Sequence, residues 1–309
     1  MAGLTNILEN LLNIRYPILL GAMAGITDPI LASAVSEAGG LGTLASVMQT
    51  GESLKALIRE TRRLTNKPFA VNIPVHSRNA SELVDTVIAE KVGVVITPAG
   101  SAKIFTAKLK KAGIIVIHLV STPSMAKKAE EAGVDAVIAS GFDAGGMVSQ
   151  YHIGTLSLVP QVVDAVKIPV IAAGGIADAR GYLAARVLGA CGVSLGTAFL
   201  ASKECHKIGN AYREGILKAD AADSVIVNTG LYNAHVIKND FYYKLQEMIS
   251  RGASHEEIAK MVYKKDQVDE ERLFICGQGV GLIKEIKSVS QIIQEMIKGS
   301  EAILKQMTQ

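Results

Sequence analysis

The chain has 309 residues, is 49% hydrophobic and 20% charged, carries a net charge of +3 and contains no tryptophan. Such a composition buries a large core and excludes a disordered chain. No basic block with interleaved aromatics marks a nucleic-acid surface, and no apolar run reaches the ~18 residues of a membrane span. The opening MAGLTNILENLLNIRY lacks a basic n-region followed by a cleavage site and does not read as a signal peptide. Cys191, Cys205 and Cys276 have no metal-ligand spacing and cannot all pair, which points to a reducing, cytoplasmic setting.

The apolar runs alternate with helical stretches. Leu4–Leu12 reads as a short amphipathic helix and Tyr16–Leu20 as the first strand, ending at Gly21-Ala22-Met23-Ala24. Asp28-Pro29 is a fit N-cap and first helical residue for a helix through Glu37. Strands are expected at Leu41–Leu44, Phe69–Ile73, Val92–Thr97, Ile114–Leu119, Ala136–Ala139, Val170–Ala173 and Val193–Leu195. Helices are expected at Gly51–Leu64, Ser81–Glu90, Ser101–Ala112, Ser124–Ala132, Leu158–Val166 and Arg180–Leu188, with Ser81 and Ser124 as caps. Glycine follows several of these helices, as at Gly39, Gly113 and Gly133, where a C-terminal cap favours it.

Eight strand–helix alternations by about residue 200 suit an α/β fold of the TIM (β/α)8 barrel type, with an open doubly wound sheet as the competitor. Residues 1–200 would form the barrel core. Residues 201–280 would form a mostly helical subdomain or lid, with helices at Cys205–Leu217, Asn239–Ile249 and Ser254–Met261 and a charged, exposed stretch at Lys264–Glu271. Phe274–Gly281 reads as a loop returning to the barrel mouth. Residues 281–309 would supply a C-terminal helix packing back on the barrel, and the apolar composition permits a homodimer.

In such a barrel the chemistry sits at the carboxyl ends of the strands. Met23, Asn72, Thr97, His118, Ser140 and Asp143 stand there, with two small-residue turns, Ala173-Gly174-Gly175 and Gly196-Thr197. Backbone N–H groups at such turns hold a phosphate. His118 and His152 are the acid–base candidates, and the Asn72 amide suits a flavin or nucleotide edge. Gln278, between two glycines, suits a cofactor contact; an ordinary turn residue is the plainer reading. No metal cluster, nucleophile elbow or Walker motif is present. A site poor in charged catalysts and rich in backbone donors points to a bound cofactor as the source of the chemistry. A phosphosugar isomerase or metal-dependent aldolase is the plainer barrel alternative.

The motifs YPILLGAMAGITDP, SEAGGLGTL, KPFAVNIP, GVDAVIASGFDAGG, IPVIAAGGIADARG, SLGTAFLASKE and GQGVGLI together resemble the nitronate monooxygenase family and its close relative, flavin-dependent enoyl-acyl-carrier-protein reductase II. The resemblance covers nearly the whole chain. It implies FMN at the strand ends. Gly21, Ala22, Met23 and Ala24 would border the ring system, and Asn72 would bond its pyrimidine side. Gly174, Gly175, Gly196 and Thr197 would hold the phosphate, while Gly145, Gly146 and Gln278 would approach the cofactor. The family usually has EAGGH where this chain has DAGGM, so Met147 stands at the position of the catalytic histidine. Methionine cannot exchange a proton there. Oxidation of a small carbon acid with O2, as by nitronate monooxygenases, is the leading expectation. The alternatives are an enoyl-thioester reductase using NAD(P)H as co-substrate, and a catalytically weak FMN binder.

Overall fold

The β-branched runs pair in parallel and close on themselves. The computed structural model describes residues 7–264 and 268–309. Helix α1 (Ile7–Leu12) precedes β1 (Ile18–Leu20), and the chain then alternates through α2 (Pro29–Glu37), β2 (Gly42–Ala45), α3 (Gly51–Leu64), β3 (Phe69–Asn72), α4 (Ala80–Ala89), β4 (Val94–Thr97), α5 (Thr106–Lys111), β5 (Ile115–Val120), α6 (Pro123–Glu131) and β6 (Ala136–Ser140). A two-residue strand, β7 (Gly146–Met147), interrupts the alternation before α7 (Thr155–Ala165), β8 (Val170–Ala173), α8 (Ala179–Val187), β9 (Gly192–Leu195) and the short α9 (Thr197–Leu200). The eight-stranded sheet runs β1-β9-β8-β6-β5-β4-β3-β2. Hydrogen bonds from Leu20 N to Leu41 O and from Leu41 N to Ile18 O, both 2.9 Å, join its two ends. The fold is the expected TIM-like barrel.

Two apolar layers follow from the period-2 alternation of the strands. Ala70, Val94, Ile96, Ile117, Ala136, Ile138, Ile171 and Ala173 cluster with Leu8 and Leu12 of α1, so α1 plugs the inside of the barrel. The part of the expected first helix at residues 4–6 lies outside the described residues. Val71, Val95, Val116, Val137, Ala172 and Val193 cluster instead with Leu31, Leu54, Leu83, Leu109 and Leu158 of the surrounding helices. Each such valine or leucine side chain, fully buried, contributes about 1.5–3 kcal/mol.

Some boundaries differ from expectation. The cap of α6 is Thr122, whose oxygen accepts from Met125 N at 3.1 Å, and Pro123 opens the helix; Ser124 lies inside it. Ser81 likewise falls inside α4, whose N-cap position is Asn79. The expected helix at 101–112 is split by Phe105 (φ −122°, ψ −11°) into a 3-10 turn and α5.

Beyond the barrel come α10 (Asn210–Lys218), β10 (Ser224–Asn228), β11 (Asn233–Ile237), α11 (Asp240–Ser250), α12 (His255–Val262), β12 (Phe274–Ile275) and α13 (Val289–Met307). The helices here were expected; the sheet was not. β10, β11 and β12 pair antiparallel, and β7 from the barrel adds to β11, with Met147 opposite Ala234 and Gly146 opposite His235. Of the stretch expected to be charged and exposed, 265–267 lie outside the described residues. Asp269 is tied down, accepting from Tyr212 N at 3.1 Å and pairing with Arg272 at 2.7 Å. α13 packs on α8 and α2. No helix among the described residues is long and apolar enough to cross a membrane.

Candidate active site at the carboxyl ends of the strands

The two small-residue turns lie at the ends of β8 and β9, which are neighbours in the barrel. Gly174 and Gly175 have φ of +109° and +69°. A Cβ on Gly174 would stand 2.7 Å from Thr155 Oγ1 and 3.0 Å from Ala144 N, so the turn has no room for a side chain. Thr155 Oγ1 braces it by donating to the Ala173 and Gly174 carbonyls at 3.2 and 3.0 Å. The N–H groups of Gly174, Gly175 and Gly196 donate to no acceptor among the described residues. Together with the N–H groups of Thr197 and Ala198 at the start of α9, which also find no acceptor among the described residues, they form a set suited to an anion.

The glycine-rich return loop lies against these turns. Gly277 N donates to Thr197 Oγ1 at 3.0 Å, and Gln278 N donates to Asp143 O at 2.9 Å. A Cβ on Gly145 would meet Gly277 N at 2.7 Å, and one on Gly279 would meet Gly175 O at 2.9 Å. The expected neighbours Gly145, Gly146, Gly174, Gly175, Thr197 and Gln278 are therefore brought together. Met23 joins them from β1: its Sδ is 3.8 Å from the place a Cβ on Gly196 would take. Gly21 N donates to Leu195 O at 2.8 Å, with Ala22 half-buried and Ala24 exposed beyond it.

On the other side of the barrel, Asn72 is 8% exposed and its side-chain amide has no hydrogen-bond partner among the described residues. Ala45 is its register partner. The next residue, Ser46, has a buried hydroxyl that is also without a partner, as does Thr43. Sequence reasoning missed Ser46; its place just past a strand end was the available signal. Such groups need a ligand or a water to complete their hydrogen bonding, and these lie beside Asn72. Ser140 is half-buried at the end of β6, in register with Ala173.

Thr97 and His118 do not join this set. They alternate with the inward-facing Ile96 and Ile117, so their side chains fall on the helix-facing side of the barrel. Thr97 Oγ1 is 2.8 Å from His118 Nδ1, and both residues are 2% exposed. Burial pushes the imidazole below its ordinary value, against a smaller opposing pull from the Gly100 carbonyl.

The loop after β6 carries the remaining candidates. Asp143 caps α7, accepting from Thr155 N at 2.5 Å. Met147 is 53% exposed. His152 is exposed, has φ of +50° and rests on the Phe142 ring at 4.7 Å between centroids. Met48, Ile104 and Tyr151 are also exposed, on the segments that follow β2, β4 and β6. No cluster of metal ligands exists among the described residues. Burial lifts the Cys205 thiol to about 11 and the Cys276 thiol higher still. Both stay protonated at neutral pH, which removes them as nucleophiles.

A family model described as nitronate monooxygenase matches residues 5–84 and 76–299. A probable nitronate monooxygenase of Staphylococcus saprophyticus is 37% identical over 284 residues, covering 77% of this chain and 79% of that protein. A 5-hydroxy-7a-methyl-1-oxo-octahydro-1H-indene-4-carboxyl-CoA dehydrogenase of Rhodococcus jostii is 40% identical over 204 residues. That match covers 66% of this chain, which spans 57% of the dehydrogenase's length. The solved structure of FabK from Thermotoga maritima superposes with a TM-score of 0.91 at 41% identity, covering 97% of both chains. Backbone donors, small residues and unpaired amide and hydroxyl groups around a barrel mouth agree with these relatives: the chain belongs to the nitronate monooxygenase family and is a flavin-dependent oxidoreductase, its family implying FMN.

Proposed function

We propose that the protein reduces an enoyl thioester at the expense of NAD(P)H. The observation that carries this reading is the likeness to FabK, a flavin enoyl-acyl-carrier-protein reductase II, over 97% of both chains. The exposed apolar side chains Met48, Ile104, Met147 and Tyr151 on the segments after β2, β4 and β6 are in keeping with an acyl substrate. The coenzyme A thioester in the name of the Rhodococcus relative is in keeping.

Bound FMN supplies two-electron redox chemistry. The N–H groups of Gly174, Gly175, Gly196 and Thr197 would hold its phosphate, and the Asn72 amide would receive its pyrimidine edge. Gly21, Ala22, Met23, Ala24, Ser140 and Ala173 would line the ring, while Gly145, Gly146 and Gln278 would approach it. Met147, exposed at the mouth, would present an apolar side chain to the substrate and cannot exchange a proton with it. Thr97 and His118 brace β4 and β5 from behind and touch neither ligand.

The likeness to a probable nitronate monooxygenase favours a second reading, oxidation of a small carbon acid by O2. One titration separates the two. Under anaerobic conditions, NADPH or NADH is expected to bleach the flavin absorption, and crotonyl-CoA to restore it. Turnover of a nitronate with oxygen, and no bleaching by either nucleotide, would transfer the assignment to the second reading. A flavin unchanged by every addition would leave a binder without turnover.

A further inference from the structure

One buried histidine has no place in the family resemblance. His235 lies on β11, is 1% exposed and stands opposite Gly146 of β7. Its Nδ1 is 3.0 Å from the Ala144 carbonyl oxygen. A carbonyl only accepts, so Nδ1 carries the proton and donates. The ring also meets Phe142 edge-on, at 4.9 Å between centroids and 74° between planes.

Ala144 C=O and Gly145 N–H belong to one planar trans peptide and point in opposite directions. A donor that fixes the carbonyl therefore aims the N–H away from itself. Gly145 N donates to no acceptor among the described residues. The preceding peptide is fixed separately, since Asp143 O accepts from Gln278 N at 2.9 Å. On the far side, β7 is held by its ladder to β11, and Val148 N donates to Asn233 O at 2.8 Å. Of this loop's peptides, the one carrying the free Gly145 N–H is oriented by a side chain from the second sheet.

We propose that His235 is a positioning residue, and that the Gly145 N–H it orients is a hydrogen-bond donor to the bound flavin. The second sheet thus supplies polar order to a loop whose own side chain at 147 supplies none. The inference rests on flavin occupying the mouth.

Three proteins test it: the full chain as it stands, His235→Leu, which removes the donor, and His235→Asn, whose amide can replace Nδ1–H. The readouts are the FMN dissociation constant by fluorescence quenching, the flavin absorption maximum and the melting temperature without FMN. The expected result is about a tenfold weaker FMN affinity and a shifted absorption maximum for His235→Leu, on the scale of one lost buried hydrogen bond. His235→Asn is expected to recover both. A folded His235→Leu with FMN affinity within about twofold of the parent, on the same scale, and an unmoved spectrum would overturn the inference. So would equal losses in both variants that track melting temperature alone. If the parent binds no FMN, the underlying reading fails instead. Should His235→Leu not fold, amide exchange at Gly145 in the parent decides: FMN is expected to slow it at least tenfold, and unchanged exchange would overturn the proposal.

Discussion

Gly174 and Gly196 stand in adjacent turns but respond differently to one methyl group. Gly174 has φ of +109°, and a Cβ there meets Thr155 Oγ1 at 2.7 Å, Ala144 N at 3.0 Å and Gly141 O at 3.1 Å. Gly174→Ala is expected to cost about 1–3 kcal/mol in denaturant unfolding and to lose flavin. Gly196 has φ of −105° and nothing nearer than Met23 Sδ at 3.8 Å. Gly196→Ala is expected to leave apoprotein stability within about 0.5 kcal/mol and to weaken FMN retention by crowding its free N–H. His118 gives a pH prediction. Its folded-state value is depressed by burial below the ordinary 6.5, so the unfolded chain binds the proton more readily. The stability it contributes is present above about 6.5 and is lost as pH falls through the lower folded-state value. Thermal melts across that range should show a shallower acid decline for His118→Asn than for the parent. At this scale the glycine turns and Asn72 were legible because strand ends were legible. Thr97 and His118 were not, because IIVIHLV is apolar on both faces and gives no polar phase to tell inside from outside.

The elements of the barrel were legible almost throughout, since buried parallel strands are continuous apolar runs separated by capped amphipathic helices. The caps were less so. Two hydroxyls flank Pro123, and only Thr122 has the extended backbone (φ −149°, ψ 156°) that lets its oxygen reach Met125 N. Thr122→Ala is expected to lower stability by about 1 kcal/mol, and Ser124→Ala to leave it nearly unchanged, by chemical denaturation. The second sheet escaped notice for a different reason. SVIVN and NAHVI are two short β-branched runs between stronger helical patterns. β7 is only two residues long, and its strand character comes from a partner far along the chain, Ala234 opposite Met147. No local signal announces such a strand, and the hydrogen bond from His235 to Ala144 was hidden with it.

Across the whole molecule the second sheet is not an appendage. β7 leaves the barrel between β6 and α7 to join it, the return loop binds Thr197 and Asp143 from above, and α13 packs on α8 and α2. Separating the C-terminal part would break hydrogen bonds made by the barrel's own loops. Calorimetry should accordingly show one transition, with calorimetric and van't Hoff enthalpies in a ratio near one; two resolved transitions would mean these links are too weak to couple the parts.

Met147 is held in β7 by main-chain pairing with Ala234, while its side chain is 53% exposed. Main-chain ladder bonds are made by backbone groups that every residue except proline carries. The residue presented at this point of the mouth is thus decoupled from the scaffold that presents it, and selection can exchange it at little structural penalty. A fold built this way diversifies its reactions codon by codon, and lineages that share every turn of the backbone can part company in chemistry.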